Sequence, residues 1–304
     1  SLNISSINVN CSKINRSLFK LKAEIELLAA EHKLDVICLT ETDFDFEEEA
    51  RSFKIAGFKT VIQESVTKVR TIILVKEEIM FSDRTEIHSV PIVDIEIKEK
   101  NGLDTKIISI YREWLDKKED QVKQMECLGN ILSETKLKRI VIIGDFNLDL
   151  KKMEDKKWAH YSIGKKLTEI CAKNALKVKD CGITYPFKNG KDGSILDYLL
   201  VIENINMEIE RIEENTGWTD HYGIKATIRQ SVQKKNSTKN ICYRKRVSSL
   251  LELQKDMKTA LNLLSETFRY LSSEVQAEQL TKVIREVLDD HCPIISKKVK
   301  SNVV

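Results

Sequence analysis

Short runs rich in Ile and Val follow one another from the N-terminus to Ile228, with few stretches of helical spacing between them. They include DVICLT (35–40), KTVIQ (59–63), TIILV (71–75), IVDIEI (92–97) and KIISIY (106–111). β-Branched residues of this kind suit a pleated, half-buried surface. RIVIIGD (139–145) is too continuously apolar for an edge strand, because a strand covered on both faces has no polar side to alternate. Further strands are expected near 196–201, 205–212 and 222–228. Helical periodicity in this part of the chain is confined to Leu18, Leu21, Ile25 and Leu28, to 116–135 and to 160–174. Strands outnumber helices and are mostly consecutive. The expected fold is therefore α/β (α+β): two packed, mostly antiparallel β-sheets flanked by helices in a four-layer sandwich, not a doubly wound sheet.

This first domain is expected to span 1–229. Composition then shifts: 229–246, RQSVQKKNSTKNICYRKR, holds seven basic and no acidic residues, which reads as a basic linker over 230–246. Beyond it Leu250, Leu253, Met257, Leu261, Leu264, Phe268 and Leu271 recur at helical spacing, so a C-terminal helical extension is expected over 247–304. A chain of 304 residues, 41% of them hydrophobic, has material for a large core, which excludes a disordered chain. Fifty basic against 47 acidic residues say little about partners, and local arrangement has to decide. The seven cysteines are odd in number and form no C-x-x-C pair, which argues against a thiolate zinc site and for a reduced, intracellular chain. The N-terminus has no secretory leader, and no apolar run reaches membrane-spanning length, so a soluble chain without a membrane partner is expected. A start on Ser1 immediately before a strand suggests a fragment of something longer.

Polar residues gather at or just beyond the ends of these apolar runs, where a sheet presents side chains to a surface cleft. The clusters are Asn8-Val9-Asn10, Leu39-Thr40-Glu41-Thr42, Ile110-Tyr111-Arg112, Gly144-Asp145-Phe146-Asn147, and Ser194-Ile195-Leu196-Asp197 with Thr219-Asp220-His221. Phosphodiester hydrolysis needs a positioned water, neutralisation of charge on the phosphoryl oxygens and help for the departing alkoxide. Carboxylates around a hard cation, with one imidazole, supply all three. Mg2+ takes oxygen ligands and keeps several waters, so Glu41 and Asp220 suit it as ligands. His221 would meet the phosphate, with Asp197 on its other ring nitrogen fixing the tautomer.

In the order N-x-N, x-E-T, Y-R, G-D-F-N, S-x-x-D and T-D-H, residues 8–221 resemble the endonuclease/exonuclease/phosphatase superfamily, whose fold is that of DNase-type and apurinic endonucleases. ICLTETDF, IYR, VIIGDFNLDL, SILDYLLV and TDHYGI look most like endonuclease domains of non-LTR (LINE-type) retrotransposons. One G-D-F-N alone would be weak; six clusters in family order are specific. The resemblance implies that Asn8 holds neighbouring catalytic groups, that Asn10 and Glu41 lie at the metal with Asp220 approaching it, and that Tyr111 contacts the scissile phosphate. It implies that Asp145 orients or deprotonates the attacking water and that Asn147 bonds a phosphate oxygen and positions that carboxylate, while Asp197 and His221 form the orienting pair. Arg112, Thr184, Ser194 and Thr219 are expected at the substrate.

The sequence also departs from the family pattern. Cys11 stands where glycine is common, Lys68-Val69-Arg70-Thr71 replaces a glycine-rich lead into a strand, and Tyr111-Arg112-Glu113-Trp114 lacks the usual proline. None of these removes a catalytic group. The expected function is a Mg2+- or Mn2+-dependent endonuclease that nicks duplex DNA to prime retrotransposon reverse transcription. Its partners would be target DNA and a reverse transcriptase domain C-terminal to it in the full-length chain, and it would act in the nucleus. Two alternatives stay open: the same chemistry on abasic DNA, RNA or a phosphorylated small molecule, and an inactive DNA-binding remnant.

Overall fold

A computed structural model describes residues 1–10, 18–62, 68–83, 90–99, 102, 104–115, 117–135, 139–186, 193–202, 205–213, 219–229, 238–244, 249–268 and 273–300. Cys11, and 230–237 and 245–246 of the expected linker, lie outside them. The described residues form two units, Ser1–Lys235 and Asn236–Val304.

The first unit begins β1 (Leu2–Asn8), α1 (Leu18–Glu31), β2 (Val36–Phe44), α2 (Glu47–Ser52), β3 (Phe58–Ile62) and β4 (Val69–Lys76). It continues β5 (Phe81–Asp83), β6 (Ile92–Ile97), β7 (Thr105–Tyr111), α3 (Lys118–Glu134) and β8 (Arg139–Asp145). A 3₁₀ turn (Leu150–Glu154), α4 (Tyr161–Lys173), β9 (Leu176–Lys179), β10 (Asp197–Ile202), β11 (Met207–Ile212) and β12 (Gly223–Ile228) complete it. The strands make two six-stranded sheets, ordered β11-β12-β1-β2-β4-β3 and β5-β6-β7-β8-β10-β9. Each sheet has one parallel pair, β1 with β2 and β7 with β8, and is otherwise antiparallel. A parallel pair needs a crossover connection, and α1 and α3 supply the two.

Alternation along each strand sorts the core into three apolar layers. Leu2, Ile4, Val36, Cys38, Ile73, Val75, Ile107, Val141, Ile143, Leu199 and Val201 meet between the sheets. Their neighbours Ile37, Leu39, Ile72 and Leu74 face outward and pack with Leu21, Ile25 and Leu28 of α1. On the other sheet Ile108, Ile110, Ile140, Ile142 and Leu200 pack with Met125 and Leu128 of α3 and Ile163 and Leu167 of α4. Central strands are thus apolar on both faces, which is why RIVIIGD shows no polar alternation. The four-layer sandwich expected from the sequence is the observed one.

The second unit contains β13 (Thr238–Arg244), α5 (Leu250–Phe268), α6 (Ser273–His291) and β14 (Ile294–Lys300). β13 pairs with β14 antiparallel, setting Ile241 opposite Lys297 and Tyr243 opposite Ile295. Residues 238–244 are therefore a strand and not linker, and the extension ends in a strand instead of being helical throughout. Their many basic residues concealed a pairing whose partner lies more than a helical hairpin away. The Gln276 amide donates to the Phe268 carbonyl, and His291 Nε2 lies 2.9 Å from Asp256 Oδ2, joining α5 and α6. Among the described residues no helix is long and apolar enough to cross a membrane.

Candidate active site

The alternation that builds the inter-sheet core also delivers the site. Past the apolar pairs, the inward positions become hydroxyl-bearing, Ser6, Thr40, Thr71 and Ser109, all buried. The Thr71 and Ser109 hydroxyls meet across the two sheets at 2.8 Å. One step further stand Asn8, Tyr111, Asp145 and Asp197. Register places Tyr111 opposite Asp145 on the parallel neighbour and Asp197 opposite Asp145 on the antiparallel one. Three adjacent strands therefore end in three polar groups at one edge. Gly144 makes this possible: at φ +152° an added Cβ would lie 2.0 Å from the Ile110 carbonyl oxygen, so no larger residue lets β8 approach β7 there.

The first sheet closes on these groups. Asn8 Nδ2 donates to Asp145 Oδ2 at 2.9 Å, and the Tyr111 hydroxyl donates to Glu41 Oε1 at 2.9 Å. The Asn10 backbone N–H donates to Asn8 Oδ1 at 2.9 Å, and Asn10 Nδ2 to Asp220 Oδ1 at 3.0 Å. Asn10, Glu41, Asp43 and Asn147 all have left-handed φ, between +43° and +55°. For side chains other than glycine such a conformation costs on the order of 1–3 kcal/mol, and strain of this kind gathers at functional sites.

Asp145 sits in a turn gripped from both ends. The Asn147 N–H donates to Asp145 Oδ1 at 2.8 Å, and Asn147 Nδ2 returns to the Arg112 carbonyl at 2.9 Å. The Arg112 guanidinium, 0% exposed, donates to the carbonyls of Phe146 and Asn147 and to Gln121 Oε1. Burial lowers that guanidinium to about 10, against the pull of Asp145. Burial and the charge of Asp197 push the Asp145 carboxyl up to about 8, opposed by His221 and the Asn147 N–H.

His221 Nδ1 lies 2.8 Å from Asp197 Oδ2. The Thr184 hydroxyl accepts the Leu196 and Asp197 N–H groups at 3.0 and 3.1 Å, and Thr219 Oγ1 accepts the His221 N–H at 3.1 Å. The Tyr185 ring packs 5.0 Å from the imidazole. Burial alone would lower His221, but the charge and hydrogen bond of Asp197, with Asp145 and Glu41 beyond, push it up to about 10. The ring is therefore an imidazolium at neutral pH. Burial also raises the Glu41 carboxyl, opposed by the Tyr111 hydrogen bond and by His221. The Tyr111 hydroxyl is held well above its ordinary range by burial and by Glu41 and Asp145.

Asp145, Asp197 and His221 offer ligand atoms within 4.8 Å of one another. Asp197 Oδ2 already engages His221 Nδ1, so the trio is a hydrogen-bonding group as well as a set of ligand atoms. The carboxylates of Glu41 and Asp220 and the Asn10 amide are the alternative, and an all-oxygen donor set fits a hard divalent cation.

Of the residues singled out in the sequence, hydrogen bonds join Asn8, Asn10, Asp145, Asn147 and Asp220, join Glu41 to Tyr111 and pair Asp197 with His221, and the ligand atoms of Asp145, Asp197 and His221 lie within 4.8 Å of one another. Three expected at the substrate are instead engaged within the protein. Arg112 spends its donors on the Asp145 turn and the Thr184 hydroxyl supports Asp197, while Ser194 pairs through its backbone with Tyr185. Thr219 is half-buried beside His221. Gln121, which orients Arg112, was missed, and nothing in its helical sequence context marks it.

Residues 105–225 match a sequence family described as endonuclease-reverse transcriptase. No curated protein matches the chain. In fold it is similar to the endonuclease domain of TRAS1, a telomere-specific non-LTR retrotransposon, with TM-score 0.56 and 16% identity over 75% of this chain and 99% of that one. It is similar also to an AP endonuclease from Archaeoglobus fulgidus, with TM-score 0.53 and 15% identity over 75% and 100%. D. rerio TDP2 complexed with single strand DNA product gives TM-score 0.56 and 14% identity over 75% and 99%. At these identities the structural likeness is one of fold. The first unit thus has the fold of these endonucleases, and residues 105–225 within it carry the match to the endonuclease-reverse transcriptase family.

Proposed function

We propose that this domain is a divalent-metal-dependent endonuclease that nicks DNA, leaving a 5′-phosphate and a 3′-hydroxyl. The observation that carries the reading is the Asp145 carboxylate, held by Asn8 and Asn147 one strand away from the Asp197–His221 pair. Asp145 takes the proton of the attacking water, and its two hydrogen bonds fix which lone pair faces that water. The His221 imidazolium donates to a phosphoryl oxygen as negative charge grows there, with Asp197 holding the ring. The Tyr111 hydroxyl holds the Glu41 carboxylate, and the second N–H of the Asn147 amide, the first being given to the Arg112 carbonyl, would meet a phosphate oxygen. Mg2+ or Mn2+ held by Glu41, Asp220 and Asn10 would neutralise phosphate charge and stabilise the departing alkoxide. The endonuclease-reverse transcriptase description of the matching family supports a retrotransposon setting, in which a polymerase C-terminal to this chain extends the new 3′-end. Action on chromosomal DNA would then be nuclear.

All these residues act on the phosphate and not on what it is attached to. Purified protein is therefore to be assayed in Mg2+ against supercoiled plasmid, abasic duplex, polyadenylate and an inositol phosphate. Plasmid is expected to be turned over fastest. Faster turnover of another member would replace the substrate while keeping the chemistry.

A further inference from the structure

Trp114 is 63% exposed, a large apolar surface to leave in water three residues after Tyr111. Its ring lies 5.8 Å from the Arg112 guanidinium carbon, the same guanidinium that holds the Asp145 turn. The ring also meets His160 edge-on at 4.4 Å, and His160 meets Trp158 edge-on at 5.6 Å. Trp158 packs on the core beneath α3 and α4, which anchors the row. The chain reaches these rings directly from the Asn147 turn, through exposed Lys151, Lys152, Lys156 and Lys157 set against Glu154 and Asp155.

We propose that Trp114, backed by His160, is a stacking platform for an unpaired DNA base on the outer side of the Asp145 turn, with the lysines of 151–157 following the adjoining backbone. The inference rests on the nuclease reading above and names where its substrate is gripped. Every base has a π-face, so such a platform binds without sequence preference. Fixed neighbours keep the indole in place, which lowers the ordering cost on binding.

The test compares the full chain with Trp114→Ala and Trp114→Phe, reading KM and kcat for plasmid nicking and Kd for a fluorescein-labelled oligonucleotide. Trp114→Ala is expected to raise KM and Kd about tenfold with kcat unchanged, and Trp114→Phe to recover most of the loss. Replacing Lys156 and Lys157 together by Gln is expected to flatten the salt dependence of Kd by roughly 2 in log–log slope. An unchanged Kd in Trp114→Ala overturns the platform. So does a fall in kcat at constant KM, which would make Trp114 only a cover for Arg112. Wild-type protein that binds the oligonucleotide but nicks nothing would defeat the nuclease reading alone, because the Kd comparison still decides the platform.

Discussion

Asp145→Asn is expected to lower plasmid nicking by roughly 10³- to 10⁴-fold while the protein stays folded. The substituted side chain has the same shape and its one oxygen still accepts the Asn147 N–H, which holds the turn, while its amide nitrogen replaces the oxygen that accepted from Asn8 Nδ2. What disappears is the base. Burial already disfavours the Asp145 charge, so a neutral amide relieves that cost while losing the buried bond from Asn8, and the melting temperature should change little. Single-turnover nicking alongside a thermal melt separates the two effects. A variant within tenfold of wild type would show that another group takes the proton.

His221→Gln is expected to cost roughly 10²- to 10³-fold in the same assay, because one donor aimed at developing charge is lost. Glutamine is preferable to alanine, since an alanine would strand the buried Asp197 carboxylate without a partner, at a cost of about 3–5 kcal/mol. The imidazole also leaves a signature in stability. Its folded pKa is raised to about 10 from 6.5, so its contribution is fully present below pH 6.5 and is lost as pH rises through about 10. That decline in melting temperature should be visible in wild type and missing in His221→Gln. Equal decline in both would place the titration elsewhere.

Much of this site could be read from residue order because each cluster ends an apolar run, and a strand's end at a sheet edge is where polar side chains become accessible. Asn8, Tyr111, Asp145 and Asp197 were legible in this way. Arg112 was misplaced although the necessary rule was at hand: the alternation that turns Tyr111 into the cleft turns its neighbour away from it. Thr184 and Ser194 could not be placed by local pattern, since their positions follow from how the segment before β10 folds back on itself. Which sheet pairs with which edge, and the Asn8–Asp145 contact that joins them, depend on packing between strands far apart in sequence. β13 and β14 were hidden for the same reason, as neither run alternates strongly and each needs the other to be a strand.

The most direct measurement is conversion of supercoiled plasmid by the wild-type protein in Mg2+, followed by chelation during the reaction. Open circles whose 3′-ends a polymerase extends, with nicking that stops on chelation and resumes when Mg2+ is restored, are the expected result. No conversion, or conversion that continues unchanged in excess chelator, would contradict a metal-dependent endonuclease.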